Sequence, residues 1–410
     1  MDNYSIEGFQ DISFEELRGY DKIINTIENN IRLYGYKQVL TPSFESYDMY
    51  NIDGALSRKE MFKLVDQTGQ ILVLRPDATI PITRMAATAF KNKNEILKLA
   101  YITTVFRNSP SKTDFRKEFM QAGVEYLGSS KPECDGEIIA LAVEILKSLG
   151  LNNIHIDMGQ VSFFNAIFDG LELKDNDIST IYSLIENKNM GELKILLDYI
   201  HLPLNVKNIL WDIPMLFGKF ESTITKAKEL CINDKMHMSI EYMEETFEIL
   251  KAYGLQDMIN VDFGFTNQFN YYTGLIFKGY VNDFGEAVLS GGRYDQLSST
   301  FGVERPASGF GINISLLMDI LNSSFNFDHY FDILLLYDSC NVKEAVTFSK
   351  VFRENNISTD CMHMNGFNYS NLYNYKIMLK VIDGKLFKIY RDKDILISID
   401  EIITIFKGGN

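Results

Sequence analysis

Hydrophobic positions along this chain follow a helical period in some stretches and a strand period in others. From Leu17 through Tyr20, Ile23, Ile24, Ile27 and Ile31 the spacing is helical, and Ser13-Phe14-Glu15-Glu16 just before it has the form of a capping box. A long amphipathic helix should open the chain and stop at Tyr34-Gly35-Tyr36, where Gly35 can take the left-handed cap. Strands are expected at Ile71 to Leu74, Tyr101 to Arg107 and Glu118 to Leu127, with loop chemistry from Asn108 to Thr113. Ile138, Leu141, Ile145 and Leu149 return to helical spacing until Gly150. Ile154, Ile156 and Met158 then alternate with His155 and Asp157, which puts His155 on the polar face of a strand as an ordinary histidine.

From about Ser162 to Tyr253 the pattern is helical and poor in glycine, with Ile240, Met243, Phe247 and Leu250 as its clearest stripe. Strand character returns at Met258 to Phe265, and Tyr271 to Tyr280 should pair with Glu286 to Ser290 across Asn282-Asp283-Phe284-Gly285. Ser308 to Asn313 leads into an apolar helix through Leu316, Leu317 and Ile320. Asn322 to Asp328 is the linker candidate. After it come strand 331–337, helix 342–354 and strands 360–364, 376–382 and 386–390, with a hairpin turn at Asp383-Gly384 and a last helix near 399–406. The expected organisation is an α+β core domain over 1–325, carrying a helical insertion at about 162–253, and a small α/β domain over 326–410.

Composition narrows the function classes. Of 410 residues, 46% are hydrophobic and 23% charged, as in an ordinary globular protein. The formal charge of −15 works against a broad phosphate-binding face, so no tRNA or other nucleic-acid partner is expected. The polar, acidic start has no apolar signal region, and no apolar run approaches the roughly 20 residues a membrane helix needs, so the expected location is cytoplasmic. Cys134, Cys231, Cys340 and Cys361 form no Cys-x-x-Cys pair, which argues against a zinc ribbon or a disulfide framework.

Taken singly, the polar motifs are weak. Pro76-Asp77-Ala78-Thr79 reads as a helix cap and Gly291-Gly292-Arg293-Tyr294-Asp295 as a turn. Their order is more specific. Leu74-Arg75-Pro76-Asp77-Ala78-Thr79, Phe106-Arg107, Gln121-Ala122-Gly123-Val124-Glu125, Asn270-Tyr271-Tyr272-Thr273-Gly274, Ser290 to Asp295 and Gly309-Phe310-Gly311-Ile312 together resemble histidyl-tRNA synthetase from about Phe14 to Leu321. The opening helix with Pro42-Ser43-Phe44-Glu45 resembles the dimer-forming first motif of class II synthetases.

That resemblance implies a class II aminoacyl-tRNA synthetase-like antiparallel sheet flanked by helices, a homodimer, and histidine bound on the sheet. Carried over to this chain, Asp77, Thr79 and Gln121 would hold the α-ammonium, with Asp77 standing where the synthetases usually have Glu. Glu125 and Tyr272 would face the imidazole, with Tyr271 beside them. Arg107 would meet an anionic group, either the ligand carboxylate or a phosphate. Carboxylates facing an ammonium and an imidazole N–H make charge-assisted hydrogen bonds, which gain strength in a partly dry pocket.

The departures bear on activity. Adenylate chemistry needs cations aimed at the transferring phosphate. Leu316 stands where the third class II motif has arginine, and Asn267 where the histidine-specific motif has one. Ser109 replaces an acid, and Phe115 another arginine, with neighbouring Arg116 able to restore part of its charge. Arg293 remains, with a structural role in its turn as the simpler reading. The whole pattern resembles the regulatory-subunit family of ATP phosphoribosyltransferase. It implies a non-catalytic, cofactor-free and metal-free subunit that joins a short-form catalytic subunit in a hetero-oligomer and feeds histidine concentration back on histidine biosynthesis. The alternatives are a divergent histidyl-tRNA synthetase and a stand-alone histidine or RNA sensor.

Overall fold

The computed structural model describes residues 6–50, 58–90, 95–108, 115–265, 271–282, 284–322, 325, 329–366, 375–390 and 393–407. They form two compact units, Met1–Asn322 and Ser323–Asn410. The first is built on a nine-stranded sheet whose spatial order is Lys37–Gln38, Leu97–Phe106, Glu118–Leu127, Ala307–Asn313, Leu289–Arg293, Leu275–Tyr280, His155–Gln160, Ile259–Asp262 and Phe217–Lys219. Neighbours run antiparallel except for the first pair and for His155–Gln160 beside Ile259–Asp262. This is the mostly antiparallel α+β sheet that the motifs imply.

Strand alternation sorts the two faces. Leu99, Tyr101, Leu127 and Ala307 share a core with Ile80, Ile82 and Ala86 of helix Thr79–Ala89. Ala122, Val124, Phe310 and Ile312 are buried on the other face, where helix Pro132–Ser148 crosses. The opening helix spans Phe14–Leu33, and the Ser13 N–H donates to Glu16 Oε2 at 2.9 Å, the reciprocal arm of a capping box. Gly35 ends it at φ +80°, with its N–H on the Arg32 carbonyl.

Two sequence expectations change. The strand expected at Glu286 to Ser290 lies later, at Leu289–Arg293, and pairs antiparallel with Leu275–Tyr280 as expected, so that Gly291 and Gly292, read as part of a turn, lie inside it opposite Phe310 and Gly309. A Cβ at Gly291 would lie 2.3 Å from the Gly309 carbonyl, so glycine is required by close strand approach. Ala307–Asn313, which has too little alternation in polarity to announce a strand, is central to the sheet. The stretch 162–253 is helical but not set apart. Its strand Phe217–Lys219 forms a sheet edge, and its helix Asp234–Ala252 lies on Pro132–Ser148 so closely that a methyl at Gly136 would meet Ile249 Cγ2 at 2.6 Å.

In the second unit, strands Thr359–His363, Phe331–Tyr337 and Tyr375–Ile382 are parallel neighbours, and Lys385–Ile389 and Asp394–Leu396 continue the sheet antiparallel. Asp383 and Gly384 turn the hairpin at φ +48° and +71°. Helices Val342–Glu354 and Ile399–Lys407 contribute to a core around Leu335, Phe352, Leu379 and Ile402.

Candidate functional site

Neighbouring strands make the floor of a small cavity in the first unit. Gln121 and Glu125 lie on Glu118–Leu127, and across the ladder Glu125 faces Gly309 while Gly123 faces Gly311. A Cβ at Gly309 would sit 1.9 Å from Glu125 Oε2, and one at Gly311 would sit 2.7 Å from Gln121 Nε2. These glycines let the two long polar side chains lie across the adjacent strand. The Gly-Phe-Gly motif is thus space reserved for Gln121 and Glu125.

The second side comes from the segment before helix Thr79–Ala89. Arg75, 5% exposed, ties it down, its Nε donating to the Thr104 carbonyl at 2.8 Å and its Nη1 to that of Thr41 at 2.7 Å. Asp77 Oδ1 accepts the Ile80 N–H at 2.9 Å, so this residue serves the helix start as well as lining the cavity. The Thr79 hydroxyl donates to Glu125 Oε1 at 2.7 Å, and the Tyr294 hydroxyl donates to Glu125 Oε2. Arg107 donates from Nε to the Pro76 carbonyl at 2.9 Å, with its guanidinium 5.3 Å from the Phe119 ring centre. Tyr271 and Tyr272 close the remaining side with ring centres 4.7 Å apart.

All seven residues singled out from the sequence, Asp77, Thr79, Arg107, Gln121, Glu125, Tyr271 and Tyr272, line this one cavity. Tyr101, Ser290 and Tyr294 line it too and were missed. Tyr294 was hidden because its motif reads as a turn; as strand continuation it shares the face of Gly292 and Ser290. Tyr101 reaches Gln121 Oε1 at 3.3 Å.

Burial dominates the electrostatics. It raises the Glu125 carboxyl to about 8, against the opposing effect of its Tyr294 and Thr79 hydrogen bonds. Burial likewise raises Asp77 to about 6, opposed by the Ile80 N–H and by Arg107. The Tyr101, Tyr271, Tyr272 and Tyr294 hydroxyls are pushed up, chiefly by burial, and stay neutral near pH 7. The cavity therefore presents hydroxyls and two carboxyls with raised proton affinity, an arrangement suited to an incoming cation.

The positions expected to matter for phosphate chemistry behave differently. Leu316 is 5% exposed, and its N–H is held by Asn313 Oδ1 at 3.0 Å at the start of helix Ile314–Leu321. Arg116, beside Phe115, ion-pairs with Asp319 at 2.7 Å and donates to the Ser315 carbonyl at 3.0 Å. Phe115 is exposed, while Ser109 and Asn267 to Asn270 lie outside the described residues. Arg293 is structural, holding Asp135 through Nε at 3.0 Å and Nη2 at 3.1 Å, and Asp295 at 2.9 Å.

The sheet and its flanking helices put the chain in the histidyl-tRNA synthetase class of folds. The family model described as histidyl-tRNA synthetase matches residues 8–317. A solved histidyl-tRNA synthetase from Nostoc superposes with a TM-score of 0.79 over 100% of both chains at 17% identity, a likeness of fold. Within that class, the chain belongs to the family of ATP phosphoribosyltransferase regulatory subunits. It is 36% identical to the regulatory subunit of Clostridium acetobutylicum over 84% of this chain and 86% of that one. It is 34% identical to that of Acetivibrio thermocellus over 99% and 96%. A Bacillus halodurans structure described as an ATP phosphoribosyltransferase regulatory subunit/histidyl-tRNA synthetase superposes with a TM-score of 0.83 at 29% identity, over 93% of this chain and 99% of that one.

Proposed function

We propose that this chain binds free L-histidine in the cavity floored by Gln121 and Glu125 and transmits its occupancy to a short-form catalytic subunit of ATP phosphoribosyltransferase, performing no chemistry of its own. One contrast carries this reading. Two buried carboxyls and a set of hydroxyls line a single cavity, while Leu316 and Phe115 stand where adenylate formation would need cations and the neighbouring Arg116 is paired with Asp319.

Asp77, Thr79 and Gln121 would receive the ligand ammonium. Thr79 gives its proton to Glu125, which leaves its oxygen lone pairs to accept an ammonium N–H. Glu125, with Tyr272 nearby, would accept an imidazole N–H, and the ligand's charge would draw the raised carboxyl toward its ionised form. Arg107 would take the ligand carboxylate. Regulation follows by linkage: histidine favours the arrangement of the hetero-oligomer that binds it better, and coupling of about 1–3 kcal/mol changes the partner's behaviour severalfold or more. A homodimer of the synthetase-like unit is part of this proposal.

Calorimetry with histidine, with and without ATP, alongside a pyrophosphate-exchange assay, tests it. Micromolar histidine binding that ignores ATP, with no exchange, is the expected result. Histidine-dependent exchange would overturn it in favour of a synthetase. Co-purification with a short-form phosphoribosyltransferase, and histidine sensitivity of that complex, is the second expectation; a chain that binds histidine without such a partner would be a stand-alone sensor.

A further inference from the structure

A second and larger cavity, about 540 Å³, lies behind the wall of the first. The wall consists of two backbone segments. Tyr271 and Tyr272 line the first cavity, and the next two residues, Thr273 and Gly274, line the second. Tyr294 lines the first, while its neighbours Arg293 and Asp295 line the second. The segments are fastened together, with the Thr273 N–H on the Arg293 carbonyl at 2.8 Å and the Asp295 N–H on Thr273 Oγ1 at 3.0 Å.

The chemistry of the second cavity is specific. Gln160, 4% exposed, donates from Nε2 to the Ser239 carbonyl at 3.1 Å, which fixes its amide orientation. Its Oε1 is then a buried acceptor with no hydrogen-bond partner among the described residues, an arrangement that a bound donor would relieve. The Ser239 hydroxyl donates to the Lys235 carbonyl at 2.8 Å and receives the Ser162 hydroxyl at 2.8 Å, so this pair adds further acceptor lone pairs. The charges are already matched: Lys235 pairs with Asp169 at 2.8 Å, and Arg293 is shared between Asp135 and Asp295. An anion would meet more carboxylate than cation around Arg293. Ala166, Met238 and Gly274 add apolar surface that suits the face of a ring.

We propose that this second cavity is a binding site for an uncharged heteroaromatic molecule bearing an amide or amino N–H, with that N–H donated to Gln160 Oε1. The size lies within the range of about 300–1,000 Å³ usual for small-molecule sites. The site bridges the central sheet and helix Asp234–Ala252, so an occupant would hold that helix against the wall shared with the first cavity. The proposal stands whatever ligand the first cavity takes.

Nicotinamide and nicotinate form a matched probe pair, alike in ring and size but differing in N–H donor against negative charge. With the full chain carrying labelled Met and Ala methyls, nicotinamide should give saturable NMR shifts at Met238 and Ala166, and nicotinate should bind at least tenfold more weakly. Gln160→Leu should weaken nicotinamide binding at least fivefold while leaving histidine calorimetry unchanged. Met238→Trp, at an exposed helix position that tolerates bulk, should block the mouth and abolish the shifts. Absence of saturable shifts with either probe would mean that water alone fills the cavity and would overturn the proposal. Equal affinity for nicotinate, or shifts indifferent to both substitutions, would overturn it as well.

Discussion

Glu125 and Asp135 are buried to the same degree, 1% and 0% exposed, one beside each cavity, yet their surroundings differ in kind. Asp135 receives two N–H bonds from Arg293 and the hydroxyl of Tyr242, so its charge is answered within the fold. Glu125 receives the hydroxyls of Thr79 and Tyr294, which satisfy its geometry without neutralising it. A buried acid paired with an arginine is part of the frame. A buried acid held by neutral hydroxyls keeps a raised proton affinity, which an incoming cation can exploit.

The most severe way to break this contrast is at the frame. Arg293→Leu should destabilise the first unit by about 3–5 kcal/mol, because Asp135 would be left buried and uncompensated. Chemical denaturation measures it, and a loss below about 1 kcal/mol would mean that Asp135 finds water or another partner.

The acid of the cavity should show itself through pH instead. Its carboxyl is raised from 4.5 to about 8, so the stability it contributes is full below about pH 4.5 and is lost as pH rises toward 8. Asp77, raised to about 6, acts in the same sense at lower pH. Between pH 6 and 8 the unliganded chain should therefore lose about 2 kcal/mol through Glu125, and Glu125→Gln should flatten that slope in pH-dependent denaturation. Histidine affinity should rise over the same window, because the neutral imidazole N–H and the ligand's ammonium are both better received by the carboxylate than by the protonated acid. A slope unchanged by the substitution would assign the effect elsewhere.

Glu125→Ala should weaken histidine binding by more than about 1.5 kcal/mol in calorimetry, since it removes a charged partner from the ligand. Unchanged affinity would move histidine elsewhere. The smallest expected effect is that of Thr79→Val, which removes the 2.7 Å hydrogen bond to Glu125 and should cost about 1 kcal/mol of histidine affinity by the same measurement. Nicotinamide binding in the second cavity should not respond to either substitution.

Legibility in the sequence followed the range of the interactions involved. The opening helix, the Pro132–Ser148 helix and most of the second unit were readable, because caps and apolar periods act within a few residues. The continuation of strand Leu289–Arg293 through Gly291 and Gly292 was not. Its two glycines imitate a turn locally, and only the backbones and side chains packed against them explain their absence of side chains. Asp394–Leu396 is an exposed three-residue edge strand whose hydrogen bonds to Lys385–Ile389 define it more than its own pattern does.

The candidate site divides in the same way. Asp77, Thr79, Arg107, Gln121, Glu125, Tyr271 and Tyr272 could be named from motifs, and they line one cavity. Motif order could not reveal that Thr79 and Tyr294 grip the two oxygens of Glu125, that Arg116 is bound to Asp319, or that a second cavity shares the wall.

By itself, the sequence determined the kinds of chemical group available and the local elements that carry them, since residue type and short-range spacing are properties of the chain. Only the tertiary structure decided which acid is neutralised and which remains raised. That depends on partners up to 169 positions apart in the case of Tyr294 and Glu125, and on how much water the packed sheet excludes around them.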